Sequence, residues 1–289
     1  MVWILIFLML GLTSPQVKAR DNATVLKRNI RLTDQKRLEV SLSFGAGTLY
    51  IKPGKKDELF RANLTFTRNE PTIDYSVAEG VAYLEINGAE EGKKDNEDKT
   101  FNISNFGDIK RNQWELYFSP DIPIKFKIET GASKNVLDFG GLRISKMEVS
   151  TGASETNIDF SKPNPIEMRR FTLEAGVSKV IIEQMLNANF HSFKFEGGVG
   201  SYKFYLSGPL KKTTNMNFEA GVSSTKLIVD PGIAFRAEVD RSFMSSVRVE
   251  EAVEEDDDIY VSDNFSINKP YLDIYAETGI GSFKIVRGR

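Results

Sequence analysis

The 289-residue sequence has no cysteine. That excludes disulfides, thiol nucleophiles, cysteine-based metal sites and the lipoprotein anchor that needs a Cys at its cleavage point. An extracellular animal domain of this size usually carries disulfides, so the absence points towards a bacterial periplasmic or surface protein. There is one histidine, His191, within Asn189-Phe190-His191-Ser192-Phe193. A lone His has no Cys partners for a zinc site, and it reads as a turn or surface residue. Charge of one sign is also missing: 38 Lys and Arg against 40 Asp and Glu leave a net charge of −2. Nucleic-acid binding needs a basic face to displace counterions, and this balance argues against it. Helical periodicity is absent from the repeated windows described below.

What is present describes a folded, strand-rich chain. The apolar fraction is 40% and the charged fraction 27%, with 20 phenylalanines and 22 glycines. These are globular proportions. At the N-terminus, Val2 to Leu12 is an apolar run of 11 residues, broken by Thr13-Ser14-Pro15. Val17-Lys18-Ala19 then places small residues at the −3 and −1 sites, so residues 1–19 read as a signal peptide cleaved after Ala19. The run is shorter than the ~20 residues of a spanning helix, and no later stretch is apolar enough to span a bilayer. The alternative is an uncleaved anchor, because no Lys or Arg precedes the run.

Internal repetition is the dominant signal. Phe126-Lys127-Ile128-Glu129-Thr130-Gly131-Ala132-Ser133 is echoed by Met147-Glu148-Val149-Ser150-Thr151-Gly152-Ala153-Ser154 and by Phe171-Thr172-Leu173-Glu174-Ala175-Gly176-Val177-Ser178. Further copies centre on Gly198, Gly221 and Gly279, and an early relative lies at 42–51. A degenerate copy spans Phe235 to Val249, where Asp240-Arg241-Ser242 replaces Glu-x-Gly. The glycines 131, 152, 176, 198 and 221 are spaced by 21, 24, 22 and 23 residues. Apolar residues alternate before and after each glycine, the pattern of strands with one buried face. Glycine permits a positive φ or a close backbone approach at the corner.

One copy cannot bury its apolar face alone; stacked copies share a continuous core. The predicted fold is therefore all-β, a β-solenoid of about seven stacked strand–Gly-turn–strand rungs over residues 126–289. An irregular β cap over 20–125 is continuous with it. In that cap Leu59 to Thr67, Ile73 to Tyr75, Ala82 to Ile86 and Trp114 to Phe118 read as strands, separated by polar loops such as Lys93 to Asp98. The competing architecture is an ordinary β-sandwich.

The residues also carry a family resemblance. Asn112-Gln113-Trp114-Glu115-Leu116, Asp121-Ile122-Pro123-Ile124, the Gly-Ala-Ser turns at 131–133 and 152–154, and Leu137-Asp138-Phe139-Gly140-Gly141-Leu142 resemble the toast-rack domain family of bacterial envelope proteins. That family is close to the "putative adhesin" repeat proteins and to the C-terminal domains of membrane-bound regulators of cell-wall antibiotic stress. The resemblance implies a stacked β fold with no assigned catalytic site. The regulators carry membrane helices before this domain, and this sequence shows none.

Glu129, Glu174, Glu196, Glu219 and Glu277 share one repeat position, with Asp240 joining them, and the alternation points them outward. At rung spacing, neighbouring carboxylates repel by about 1 kcal/mol in water. Lys203, Lys226 and Lys284 lie seven residues after their glutamates, and Lys134 and Lys179 five, which suggests a charge ladder. The row is then either a solvated ladder or an acidic face for cations or a basic partner. Glycosidase roles need two carboxylates in unlike environments, not a regular row. Gly197-Gly198-Val199-Gly200 lacks the Lys-Ser/Thr pair of a phosphate loop. Glu250 to Asp258 holds seven acids in nine residues and reads as an exposed loop; Glu254, Glu255, Asp256, Asp257 and Asp258 are a candidate Ca²⁺ site without EF-hand spacing.

These features describe an exported, non-enzymatic scaffold or adhesin-like binding protein of the periplasm or cell surface, without a cofactor. Its partner is an envelope protein or polysaccharide, and end-to-end self-association is expected through the last rung after Ile285. The alternatives are an accessory sensor in envelope stress and, further off, a carbohydrate-active enzyme.

Overall fold

The computed structural model describes residues 23–67, 69–88 and 112–288. The signal segment 1–19 and the Lys93–Asp98 loop lie outside them. Seven long strands carry the repeats: β2 (Arg37–Pro53), β7 (Pro123–Asp138), β8 (Arg143–Asp159), β9 (Met168–Glu183), β10 (Phe190–Leu206), β11 (Thr214–Val229) and β16 (Leu272–Arg287). They pair in parallel, in that order, within one sheet. The early relative at 42–51 is thus part of a full rung, set against the first 126–138 repeat.

Each corner is a bend inside one uninterrupted strand. In β9, Phe171, Leu173 and Ala175 are buried before the glycine, and Ser178, Val180 and Ile182 after it, while Gly176 and Val177 are both exposed. The inward set changes from odd to even positions at Gly-Val. Two successive outward residues slip the alternation by one, so both arms of the bent strand turn their apolar face to the same interior. β7, β10, β11 and β16 repeat the slip at Gly131, Gly198, Gly221 and Gly279.

Close approach, not a positive φ, demands glycine here. A Cβ on Gly152, Gly176, Gly198, Gly221 or Gly279 would stand 3.2, 2.9, 2.7, 3.1 or 2.5 Å from the carbonyl oxygen of the glycine in the preceding rung. None of the five has a positive φ.

The interior is filled by in-register columns, such as Ile128, Val149, Leu173, Phe195 and Phe218. A chain of ring contacts runs along the stack: Phe118 to Phe126 at 5.0 Å, Phe126 to Phe139 at 5.4 Å, Phe139 to Phe160 at 6.0 Å and Phe160 to Phe171 at 5.9 Å. It continues through Phe193 and Phe218 to Phe283. Each ring, fully buried, stabilises the fold by roughly 1.5–3 kcal/mol. Asparagines hold the connections together. Buried Asn164 accepts from Ile144 N–H and donates to the carbonyls of Ile144 and Ala188, joining two neighbouring turns.

At the N-terminal end the expected strands appear as β3 (Glu58–Phe66), β4 (Thr72–Ala78), β5 (Val81–Asn87) and β6 (Gln113–Phe118), preceded by β1 (Thr24–Arg31). On the first arm of β2 the sheet continues to β5 and then β4; on the second it continues to β6, β3 and finally β1.

The C-terminal end corrects two expectations. First, the last strand in sequence is not the last in space. β12 (Phe235–Arg241) and β13 (Ser245–Val249), the degenerate repeat, lie on the outer side of β16, which is inserted between them and β11. The outer edge of β16 is therefore occupied as far as Ile285 and is not free for end-to-end docking. Arg287 fixes this arrangement: its largely buried guanidinium donates to the carbonyls of Asp230 (3.1 Å) and Ile233 (2.7 Å) and lies over the Phe235 ring. Second, the acidic segment is no loop. β14 (Ala252–Asp256) and β15 (Ile259–Ser262) form a hairpin around Asp257-Asp258, and β15 pairs with β12. Alternating residues pack inward, Ala252 and Tyr260 against the core, which turns a charged stretch into strand.

Gly198→Val should force β10 away from β9 and cost about 1–3 kcal/mol, the range for overpacking. Val199→Ala beside it, on the outside, should stay within about 0.5 kcal/mol. Urea unfolding midpoints of the two variants check this.

Candidate functional site: a glycine-floored acidic groove

The outward alternation of five adjacent rungs aligns their acidic side chains. Glu174, Glu196, Glu219, Glu277 and Asp240 are consecutive register partners, from β9 through β10, β11 and β16 to β12. Rungs stand ~4.8 Å apart. Glu129 belongs to the same column but is separated from the others by Ser150. The row borders a groove of about 660 Å³ on the outer face of the bend. Bare backbone at Gly176, Gly198, Gly221 and Gly279 lines it. The glycines required by rung spacing thus leave a trough where side chains would otherwise stand.

The compensating cations differ from the expected ones. Lys203, Lys226 and Lys284 pair with one another in register on the second arm, and Arg248 follows them. They form their own basic row, because a seven-residue offset crosses the bend. The acidic row is bridged from two positions earlier on the same strand. Lys127 reaches Glu129 at 2.7 Å, and Lys194 reaches Glu196 at 2.5 Å and Glu219 at 3.7 Å. The hydrogen bond from Lys194 to Glu196 and the attraction of Glu196 and Glu219 raise the lysine's pKa, against the pull of desolvation. Asn217 donates to Glu219 at 3.0 Å. Lys179 bridges instead to Glu155, whose pKa it lowers. Among the described residues Glu174, Glu277 and Asp240 have no cationic partner.

A third row follows each glycine. Val177, Val199, Val222 and Ile280 are register partners and are exposed by 66, 49, 48 and 44%. Across the bend the surface therefore runs from carboxylates to bare backbone to aliphatic side chains, and then, beyond a small polar position, to lysines. The aliphatic row was missed in the sequence, although each copy shows it as the Val or Ile after its glycine. Period-two alternation assigns that residue to the core unless the slip is recognised.

The other nominated residues do not converge. His191 is exposed near the start of β10. Glu254, Glu255 and Asp256 are exposed along β14, whose register shifts between Glu254 and Asp256. Among the described residues no group of three or more His, Asp or Glu is placed to hold a metal ion.

A second acidic column was not foreseen. Asp138, Asp159 and Glu183 are register partners at the ends of β7, β8 and β9. Burial and then the charge of Asp138 raise the pKa of Asp159, and burial and then Asp159 raise that of Glu183. Asp138 itself accepts from the Gly140 N–H and the Ser161 hydroxyl, both at 2.8 Å.

Rungs made of one bent strand each, stacked in parallel along a glycine column, define a β-solenoid. The chain belongs to the toast-rack family: the family model described as the N-terminal domain of toast_rack, DUF2154, matches residues 17–183. Among solved structures, a "putative cell adhesion protein" from Clostridium sporogenes ATCC 15579 is 17% identical, with 92% of this chain and 100% of that chain covered and a TM-score of 0.52. It shares the fold. A "putative adhesin" from Bacteroides fragilis NCTC 9343 is 10% identical, covers 92% of this chain and 99% of its own, and has a TM-score of 0.41. No curated protein matches the sequence. Among the described residues no helix is long and apolar enough to cross a membrane.

The second acidic column gives a pH prediction. A carboxyl whose folded pKa is raised favours the folded state below its ordinary pKa of 3.8, and that contribution is lost as pH rises through the folded value. Asp159→Asn should therefore raise the melting temperature at about pH 7 and leave it nearly unchanged at about pH 3. Thermal melts across that range measure it.

Proposed function

We propose that this chain is a non-enzymatic, exported scaffold of the cell envelope that binds a partner along the outer face of its stacked rungs. The observation that carries the reading is the unbroken row Glu174, Glu196, Glu219, Glu277 and Asp240 beside a trough of bare backbone. Such a row repeats one carboxylate at ~4.8 Å intervals, and it matches an extended partner carrying several positive charges. A basic segment of an envelope protein fits this better than an acidic polysaccharide, which the row would repel. The adhesion-related name of the Clostridium sporogenes chain agrees with a binding role. Hydrolysis of a glycosidic bond is disfavoured because the row's carboxylates share one open face, whereas acid and nucleophile flank the scissile bond from opposite sides. The sequence-based alternative of an envelope-stress sensor draws no support from any particular feature of the site.

A neutral polysaccharide is favoured by a different feature. A second groove of about 500 Å³ on the same rungs is lined by Tyr275, Asn215, Asn217 and Asp273. Tyr275 is 39% exposed, so a ring face stands next to amide and carboxylate groups that can hydrogen-bond hydroxyls.

A triple variant, Glu196→Lys, Glu219→Lys and Glu277→Lys, separates the two readings. Envelope proteins retained by immobilised wild-type chain should be released by about 0.5 M salt, where screening reaches within ~5 Å, and the folded variant should not retain them. Retention unaffected by salt and by the variant would sink the acidic-groove reading. Binding of neutral glycans that survives the triple change and fails with Tyr275→Ala would establish the second groove instead.

A further inference from the structure

The two ends of the stack differ in charge. Among the described residues β1 is the terminal strand at one end: it pairs only with β3, and no other described strand pairs with its second edge. Its sequence, TVLKRNIR, carries Lys27, Arg28 and Arg31 and no acid. All three are exposed, and none has an ion-pair partner among the described residues. Among the described residues β14 is the terminal strand at the other end, paired only with β15. Its sequence, AVEED, carries Glu254, Glu255 and Asp256 and no base, and Asp257 follows in the turn. These acids are exposed as well, again without a cation among the described residues.

Free edges are templates for pairing with another chain, and charges on them decide which pairings survive. A β1–β1 pair would set cations opposite cations, and a β14–β14 pair acids opposite acids. Like charges directly opposite are destabilising in a sheet, and unlike charges stabilise it. Only β1 against β14 is complementary. Both strands also expose an aliphatic residue beside their charges, Val25 near Lys27 on β1 and Val253 next to Glu254 on β14.

We infer that a second copy of this chain docks head to tail, the basic edge strand β1 of one molecule adding to the acidic edge strand β14 of the next. The contact is heterologous, so it propagates until it closes a ring or extends as a filament. Its geometry is not a coaxial continuation of the rungs. β1 stands third beyond β2 on the arm that follows the glycine bend, whereas β14 stands third beyond β16 on the arm that precedes it. Joining the two turns each copy relative to the last. The remaining edges match less well: β4 offers β1 the single acid Asp74 against the three of β14, and Arg248 of β13 is already engaged by Glu250 at 3.0 Å.

The test is sedimentation velocity on the purified chain over a wide concentration range, at low and at about 0.5 M ionic strength. Wild type should form species larger than a monomer at low salt and lose them at high salt, since exposed pairs are screened beyond a few ångströms. Two reversals then isolate the edges. Lys27→Glu with Arg28→Glu makes both ends acidic, and Glu254→Lys with Glu255→Lys makes both ends basic. Each variant alone should remain monomeric at concentrations at least tenfold above those where wild type associates, with an unchanged circular dichroism spectrum. Mixed in equal amounts, they should associate again, because each now offers what the other lacks. A wild type that stays monomeric at low salt, oligomers that persist in either single variant, or a mixture that fails to associate overturns the proposal. Binding at the acidic groove lies on other strands and is left intact by both reversals, so failure here leaves the proposed function standing.

Discussion

Everything in this molecule is organised around how near two neighbouring rungs can come at the bend. Parallel strands stand ~4.8 Å apart, and at the corner the chain must also slip its inward and outward alternation by one residue. The slip sends Gly176 and Val177, or Gly198 and Val199, outward in succession. It also brings the first of each pair against the carbonyl of the glycine one rung below, where a Cβ on Gly198 would stand 2.7 Å from an oxygen. Glycine removes the collision. With it in place, both arms of every strand face one interior, and the phenylalanines of successive rungs form one chain of ring contacts. Without it the arms could not fold over the same core, and the repeats would have no shared apolar surface.

The same constraint shapes the outside. A column of glycines is a column without side chains, and the bend displays it on the convex face. The residues flanking the column therefore border a trough and do not close it. Glutamates stand on one side and aliphatic residues on the other. The lysines that might have neutralised the glutamates are carried across the bend, since Lys203, Lys226 and Lys284 occupy the other arm. Lys127 and Lys194, two residues before their glutamates, stay on the acidic side. Charge separation between the two arms is thus a consequence of bending a strand whose sequence alternates acid and base at fixed offsets.

Much of this was legible in the sequence. The glycine spacing, the paired apolar runs and the shared Glu position lead to a stacked β fold with an outward acidic row, and both features are present. Three of the cap strands fell within one residue of their observed bounds because each is a short alternating run between polar breaks, whereas the expected 73–75 run stopped three residues short of the end of β4 and β1 was not expected. Three things were not legible. The slip at Gly-Val is invisible to a period-two reading, so the exposure of Val177, Val199, Val222 and Ile280 went unseen. The spatial order at the C-terminus is set by which edge each strand finds, and nothing local in Leu272–Arg287 says that it will enter between β11 and the degenerate repeat. The acidic run at 250–258 has the composition of a loop, and only the inward packing of Ala252 and Tyr260 makes it a hairpin.

That insertion explains why the degenerate repeat could afford to degenerate. A rung within the stack must satisfy neighbours on both sides, which keeps its glycine and its apolar columns. β12 and β13 meet β16 on one side only. Asp240 still keeps register with Glu277, but the strand breaks after Arg241, and Ser242, which follows the break, donates its hydroxyl to the Gly279 carbonyl. The freed edge of β12 is instead covered by the hairpin, whose outermost strand is exposed and acidic. The regular rungs are held by packing on both sides, a constraint that is relaxed at the ends of the stack. It is there that the two free edges have acquired opposite charge.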